Sequence, residues 1–175
     1  MILFIDIDGV LIPRRAYYMA GQTLPFVTKF DPSVVGMMNT LARENGFQFV
    51  IHSSWLRSIF LETTMGISDV KAHMIAEGLD AEAFHPDPCC VYTESGDRWL
   101  AITEWLARHT EVGREDYWII DDDLMPMECQ LNKARFINTN FDEGMTFEHF
   151  WQMRYSALGG TEREVLGGDP PPTMD

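Results

Sequence analysis

Two aspartates, Asp6 and Asp8, stand two positions apart in the opening run MILFIDIDGVLI, and three more, Asp121, Asp122 and Asp123, stand together in WIIDDDL. Carboxylates gathered from distant parts of a chain repel one another and lose solvation, a cost that calls for a compensating cation. Carboxylates, a backbone carbonyl and waters suit the octahedral oxygen shell of Mg2+, and Mg2+ recruits phosphate. Ser53 and Ser54, in VIHSSW, add hydroxyls and following backbone amides that can donate to phosphoryl oxygens. Gly9, directly after Asp8, permits the sharp turn that exposes such amides. Taken alone, a DxD pair or a run of three aspartates is more often a solvated loop or a helix cap than a site. Their weight depends on whether the fold brings them together.

The elements that would do so can be read from the pattern. Residues 2–7 form a short apolar run suited to a buried strand, 47–51 a second and 117–120 a third, with 136–138 as a fourth. The first three run directly into Asp6 and Asp8, Ser53 and Ser54, and Asp121 to Asp123. In open α/β sheets ligands bind beyond the carboxyl ends of the strands, so these polar groups are placed to converge. Asp31, with Pro32 after it, starts a helix carrying Val34, Val35, Met38 and Leu41 at helical spacing and closing near Gly46. Asp97 to His109 carries Trp99, Ile102, Trp105 and Leu106 along one face, and Thr146 to Leu158 reads as a final helix. The stretch from Trp55 to about Leu79 is mostly helical in pattern, and Phe84 to Tyr92 is a Pro-rich connection with room for a short strand. Arg14 to Lys29, broken by Gly21 and Pro25, reads as a loop or small flap over the end of the first strand. The strand, helix, strand order predicts an α/β domain over 1–158: a three-layer, Rossmann-like parallel sheet with helices on both faces and a minimal cap. Residues 159–175 are Gly- and Pro-rich and acidic, the composition of a disordered tail.

Thirteen Lys and Arg against 27 Asp and Glu give a net charge of -14, which opposes tight, sequence-independent binding to a phosphate backbone. A small anion remains compatible, because its charge need only be met locally. No run approaches the roughly 18 apolar residues of a membrane span, and the first residues lack a basic leader, so a cytoplasmic protein is expected. Cys89, Cys90 and Cys129 give an odd count and no CxxC pair, which favours reduced thiols over a disulfide framework or a zinc site.

The segments FIDIDGVL, VIHSS and IIDDDL resemble, in that order, the first, second and fourth motifs of the haloacid dehalogenase superfamily, over roughly residues 1 to 140. With SSW followed by Arg57, and an Arg98-led amphipathic helix ending in EWL, the chain is similar to the small domains of that superfamily associated with nucleic-acid repair proteins. The resemblance implies a Mg2+-dependent phosphomonoester hydrolase acting through an aspartyl phosphate on a nucleotide or nucleic-acid-end phosphate. It assigns Asp6 as nucleophile and Asp8 as general acid and base. Asp121 and Asp122 would complete the metal site with Asp6, and Asp8 would add its backbone carbonyl. A Lys or Arg is expected to stabilise the phosphoryl charge; Arg98 and Lys71 are the candidates, with Arg98 preferred. Ser53 is preferred over Ser54 as the second-motif residue, and Ser54, Gly9, Arg57 and Arg14 are candidates for substrate contact. His52 reads as a core or supporting histidine, and Trp55, Trp99 and Trp105 as packing residues. The rivals are a phosphorylatable receiver-type domain, whose acids sit on different strands, and a catalytically silent binding module of the same fold.

Overall fold

The computed structural model describes residues 1–19, 29–56, 67–91 and 97–159. Among them five parallel strands form one sheet in the order β3-β2-β1-β4-β5: β1 Ile2–Ile5, β2 Gln48–Ile51, β3 Phe84–Cys89, β4 Tyr117–Asp121 and β5 Phe136–Asn138. The helices are α1 Arg14–Met19, α2 Pro32–Asn45, α3 Ile67–Ala76, α4 Arg98–Arg108 and α5 Phe147–Leu158. None of the described helices is long and apolar enough to cross a membrane.

Alternation along the strands builds the layers. Leu3 and Ile5 of β1, Phe49 and Ile51 of β2, and Trp118 and Ile120 of β4 face a core shared with α2, α3 and α5. Ile2 and Phe4, Val50, and Tyr117 and Ile119 point the other way, onto Trp99, Ile102 and Trp105 of α4. Trp105 packs edge-on against Phe4, with ring centroids 5.2 Å apart. Burying each of these large side chains contributes about 1.5–3 kcal/mol, so the apolar face of α4 is what fixes that helix to the sheet. The expected three-layer arrangement is therefore present.

Helix starts follow local chemistry. The Asp31 carboxylate accepts from the Ser33 and Val34 amides, with Pro32 at the first helical position, and Gly46 ends α2 in the left-handed region. Asp97 caps α4 by accepting from Trp99 and Leu100, and Thr146 caps α5 in a box closed by His149.

One element departs from the sequence expectation, and another takes the form that the sequence left room for. Residues 14–19 form a helix rather than a loop, anchored by Ala16, which is 3% exposed; the rest of the expected flap, 20–28, lies outside the described residues. The Pro-rich connection contains the short strand it had room for: β3, six residues on the edge of the sheet, where proline's missing donor is tolerated. Its pairing with β2 shifts register between Phe49 and Ile51. In the span expected to be mostly helical, a 3-10 turn at Ser54–Leu56 precedes α3, and 57–66 lie outside the described residues. The expected tail also lies outside them, beyond Gly159.

Candidate active site

The strand register brings the polar groups together. Ile5 of β1 pairs with Ile51 of β2 and Ile120 of β4. The next residue on each strand is therefore Asp6, His52 and Asp121, one row of side chains at the carboxyl edge. β5 extends the row, since Asp121 pairs with Asn138. By the two-residue alternation, Asp6, His52 and Asp121 share parity with Phe4, Val50 and Ile119 and so face α4. The strand order reverses between β1 and β4, the place where an open α/β sheet leaves a crevice.

Arg98, first residue of α4, meets this row. Its Nη1 lies 3.0 Å from Asp6 Oδ2 and 2.7 Å from each Asp121 carboxylate oxygen. Asp123 Oδ2 is 3.2 Å away. One carboxylate oxygen from each of Asp6, Asp121 and Asp122 lies within 4.8 Å of the other two. Gly9, at φ +66, makes this approach possible, because a Cβ there would overlap the Asp122 carboxylate.

Burial sets the electrostatics. Asp6 and Asp121 are 2% and 0% exposed. The Asp6 carboxyl is raised to about 7, first by burial and then by repulsion from Asp121. Asp121 is likewise raised to about 7, chiefly by burial. Arg98 opposes both shifts, but a single guanidinium shared by three carboxylates does not offset the loss of solvent. His52 gives little help: burial pushes its imidazole down to about 4, so it is neutral at neutral pH. Among the described residues, then, the cluster carries more negative charge than its contacting cation balances. A hard divalent cation fits this set of oxygen donors.

The remaining candidates fall into place unevenly. Ser53, fully buried, hydrogen-bonds the Asp6 carboxylate, whereas Ser54 opens the 3-10 turn beyond it. Asp8, half-buried, accepts from the Trp55 indole at 2.8 Å, and burial raises its carboxyl above the usual range. Lys71 is directed elsewhere, its ammonium 5.1 Å from the Phe84 ring centroid, so Arg98 rather than Lys71 reaches the carboxylates. Arg14 is not drawn into the cluster: its guanidinium pairs with Asp142 at 2.7 Å on the surface. Arg57 lies outside the described residues.

His52, read from the sequence as a core or supporting histidine, has Nε2 3.4 Å from Asp121 Oδ2. Three supporting roles escaped the sequence reading. The Asn138 side-chain amide donates to the carbonyls of Asp121, Asp122 and Asp123 at 3.1, 3.0 and 3.3 Å. Thr139 Oγ1 donates to the Gly9 carbonyl at 2.8 Å, so the end of β5 ties both acid-bearing loops. The Trp55 bond to Asp8 is the third. The signal for Asn138 and Thr139 was present, since they too are polar residues at the carboxyl end of a strand.

A parallel sheet with an Asp-x-Asp leaving its central strand and a second acidic group leaving the neighbouring one defines a haloacid-dehalogenase-like domain. A family model described as the HAD domain in Swiss Army Knife RNA repair proteins matches residues 2–150. The chain belongs to that family, within a superfamily of hydrolases. No curated protein and no solved structure matches it.

Proposed function

We propose that the chain is a Mg2+-dependent phosphomonoester hydrolase working through an aspartyl phosphate on Asp6. The observation that carries this reading is the meeting of Asp6, Asp121 and Asp122 oxygens within 4.8 Å beside the Arg98 guanidinium. Asp6 Oδ attacks phosphorus in line with the ester oxygen; the P–O bond to that oxygen breaks, and Asp8 gives the departing alkoxide its proton. Asp8, now a carboxylate, then takes a proton from water as the water oxygen bonds to phosphorus. The bond to Asp6 breaks, and inorganic phosphate and the Asp6 carboxylate are released. Burial favours the protonated Asp8 that the first step needs, while the Trp55 hydrogen bond and the positive charge of Arg98 favour its ionised form for the second. Arg98 and Ser53 orient the nucleophile and offset phosphoryl charge. Asp6, Asp121 and Asp122, with the Asp8 backbone carbonyl, would hold the metal, which when bound supplies further positive charge toward the phosphoryl oxygens.

The family's association with RNA repair supports a nucleotide or nucleic-acid-end phosphate as substrate. The net charge of -14 disfavours a long backbone footprint and favours a mononucleotide or a short end. Ser54, Gly9, Arg57 and Arg14 are the proposed substrate contacts. Of these, Arg14 would first have to leave Asp142.

A panel of mononucleotides and of 3'- and 5'-phosphorylated oligonucleotides tests the reading, with and without Mg2+. Turnover is expected that depends on the metal and falls at least about 10³-fold in Asp6→Asn. Full activity in Asp6→Asn would remove Asp6 as nucleophile. Folded protein silent across the panel would favour the binding-module reading.

A further inference from the structure

Trp55 is tied to both halves of the proposed chemistry. Its indole Nε1–H donates to Asp8 Oδ2 at 2.8 Å, and its backbone N–H donates to Ser53 Oγ at 3.3 Å. The ring is held from behind. It stacks on His73 of α3, with centroids 5.7 Å apart and planes 28° from parallel, and His73 meets Phe30 edge-on at 5.6 Å. An indole N–H donates only and does not titrate in the working range. It can therefore hold one carboxylate oxygen without competing for the proton that the other must carry.

We propose that Trp55 is a positioning residue for Asp8, fixing Oδ2 so that Oδ1 faces the ester oxygen in the first step and the attacking water in the second. The inference rests on the reading of Asp8 as general acid and base. A short carboxylate at the mouth of a site has two free torsions, and misplacing a proton donor by a fraction of an ångström costs rate directly. The ordinary reading, Trp55 as packing, explains the His73 stack but not an indole N–H spent on the Asp8 carboxylate.

Trp55→Phe keeps a ring against His73 and removes the N–H, and two substrates separate the readings. A poor leaving group, in a nucleoside monophosphate, needs the proton in both steps; a good one, in p-nitrophenyl phosphate, needs it only in the second. With the nucleotide, kcat is expected to fall about 10- to 100-fold with little change in KM. With the aryl ester, rapid mixing is expected to show a near-normal burst of one nitrophenol per active site, then slow turnover as phosphoenzyme accumulates. The Mg2+ concentration for half-maximal activity should not move. In an Asp8→Asn background, Trp55→Phe should cost nothing more, as expected for residues acting through one group.

An aryl-ester burst slowed as much as nucleotide turnover, no loss on either ester, or a full additional loss in the double variant would overturn the assignment while leaving the phosphatase reading intact. Inactivity of the unaltered protein on both esters would instead remove that reading and this inference with it. Should Trp55→Phe fail to fold, the assigned indole N–H resonance of Trp55 serves: Asp8→Asn should shift it upfield, and an unmoved resonance overturns the contact.

Discussion

Asp6, Asp121 and Asp123 share the Arg98 guanidinium, and two of the three are buried. The charged form of Asp121 is thus held in the fold at a cost, which the proposed metal would offset. Asp121→Asn, nearly isosteric and neutral, should raise the stability of the metal-free protein by about 1–3 kcal/mol. Activity should fall by at least about 10²-fold. Melting in excess chelator, set beside steady-state rates, checks both; a lower melting temperature would mean that the carboxylate stabilises the fold without metal. Gly9 makes a different demand. A Cβ at φ +66 overlaps the Asp122 carboxylate, so Gly9→Ala should cost about 1–3 kcal/mol of stability and weaken Mg2+ binding about tenfold by displacing Asp122. Calorimetric Mg2+ titration of the folded variant reads the second effect, and unchanged affinity would show that Asp122 is not a ligand.

The helix caps decide where α2 and α4 begin, and the α4 cap decides where Arg98 stands. Asp31 accepts from Ser33 and Val34 and pairs with Arg15 at 2.6 Å. Although burial pushes its carboxyl up, the Arg15 and backbone hydrogen bonds prevail and hold it below 3.8. A carboxyl depressed in the fold stabilises above its unfolded value and loses that contribution as pH falls through its folded value. Asp31→Ala should therefore lower stability by about 1–2 kcal/mol at neutral pH, and the gap to the unaltered protein should close as pH drops below about 4. Thermal melts at pH 7 and pH 3 measure it; an equal gap at both would assign the loss to packing. Elements with a cap and a periodic face, such as α2 and α4, were legible in the sequence for this reason. Residues 14–19 were not, because one helical turn and a half shows no period and Gly21 and Pro25 follow closely. Across Pro86 and Pro88 the sequence allowed a short strand, but the edge position of β3 shows only in the completed sheet. Asp6, Ser53 and Asp121 were legible as polar residues ending apolar runs. The contacts Trp55–Asp8 and Asn138 to the acidic turn were not, since they depend on register and side-chain rotamers across the sheet.

At the scale of the molecule, two cores on opposite faces of one sheet divide the work. The α2, α3 and α5 side buries Leu3, Ile5, Phe49 and Ile51, while the α4 side aligns Arg98 with Asp6 and Asp121. The carboxyl edge is where strand order reverses, so the crevice and the acids coincide through topology. With a chain net charge of -14, the anionic substrate of the proposed reaction would be captured by local positive charge, from Arg98 and the proposed metal, rather than by the field of the whole surface. The measurement closest to the central claim is the capture of the covalent intermediate: acid-quench the chain during Mg2+-supported turnover of p-nitrophenyl phosphate, digest it and locate any added phosphoryl group by mass. It is predicted on the peptide carrying Asp6 and absent from Asp6→Asn. A phosphoryl group on any other residue, or an actively turning-over enzyme with none trapped, would contradict Asp6 as the nucleophile.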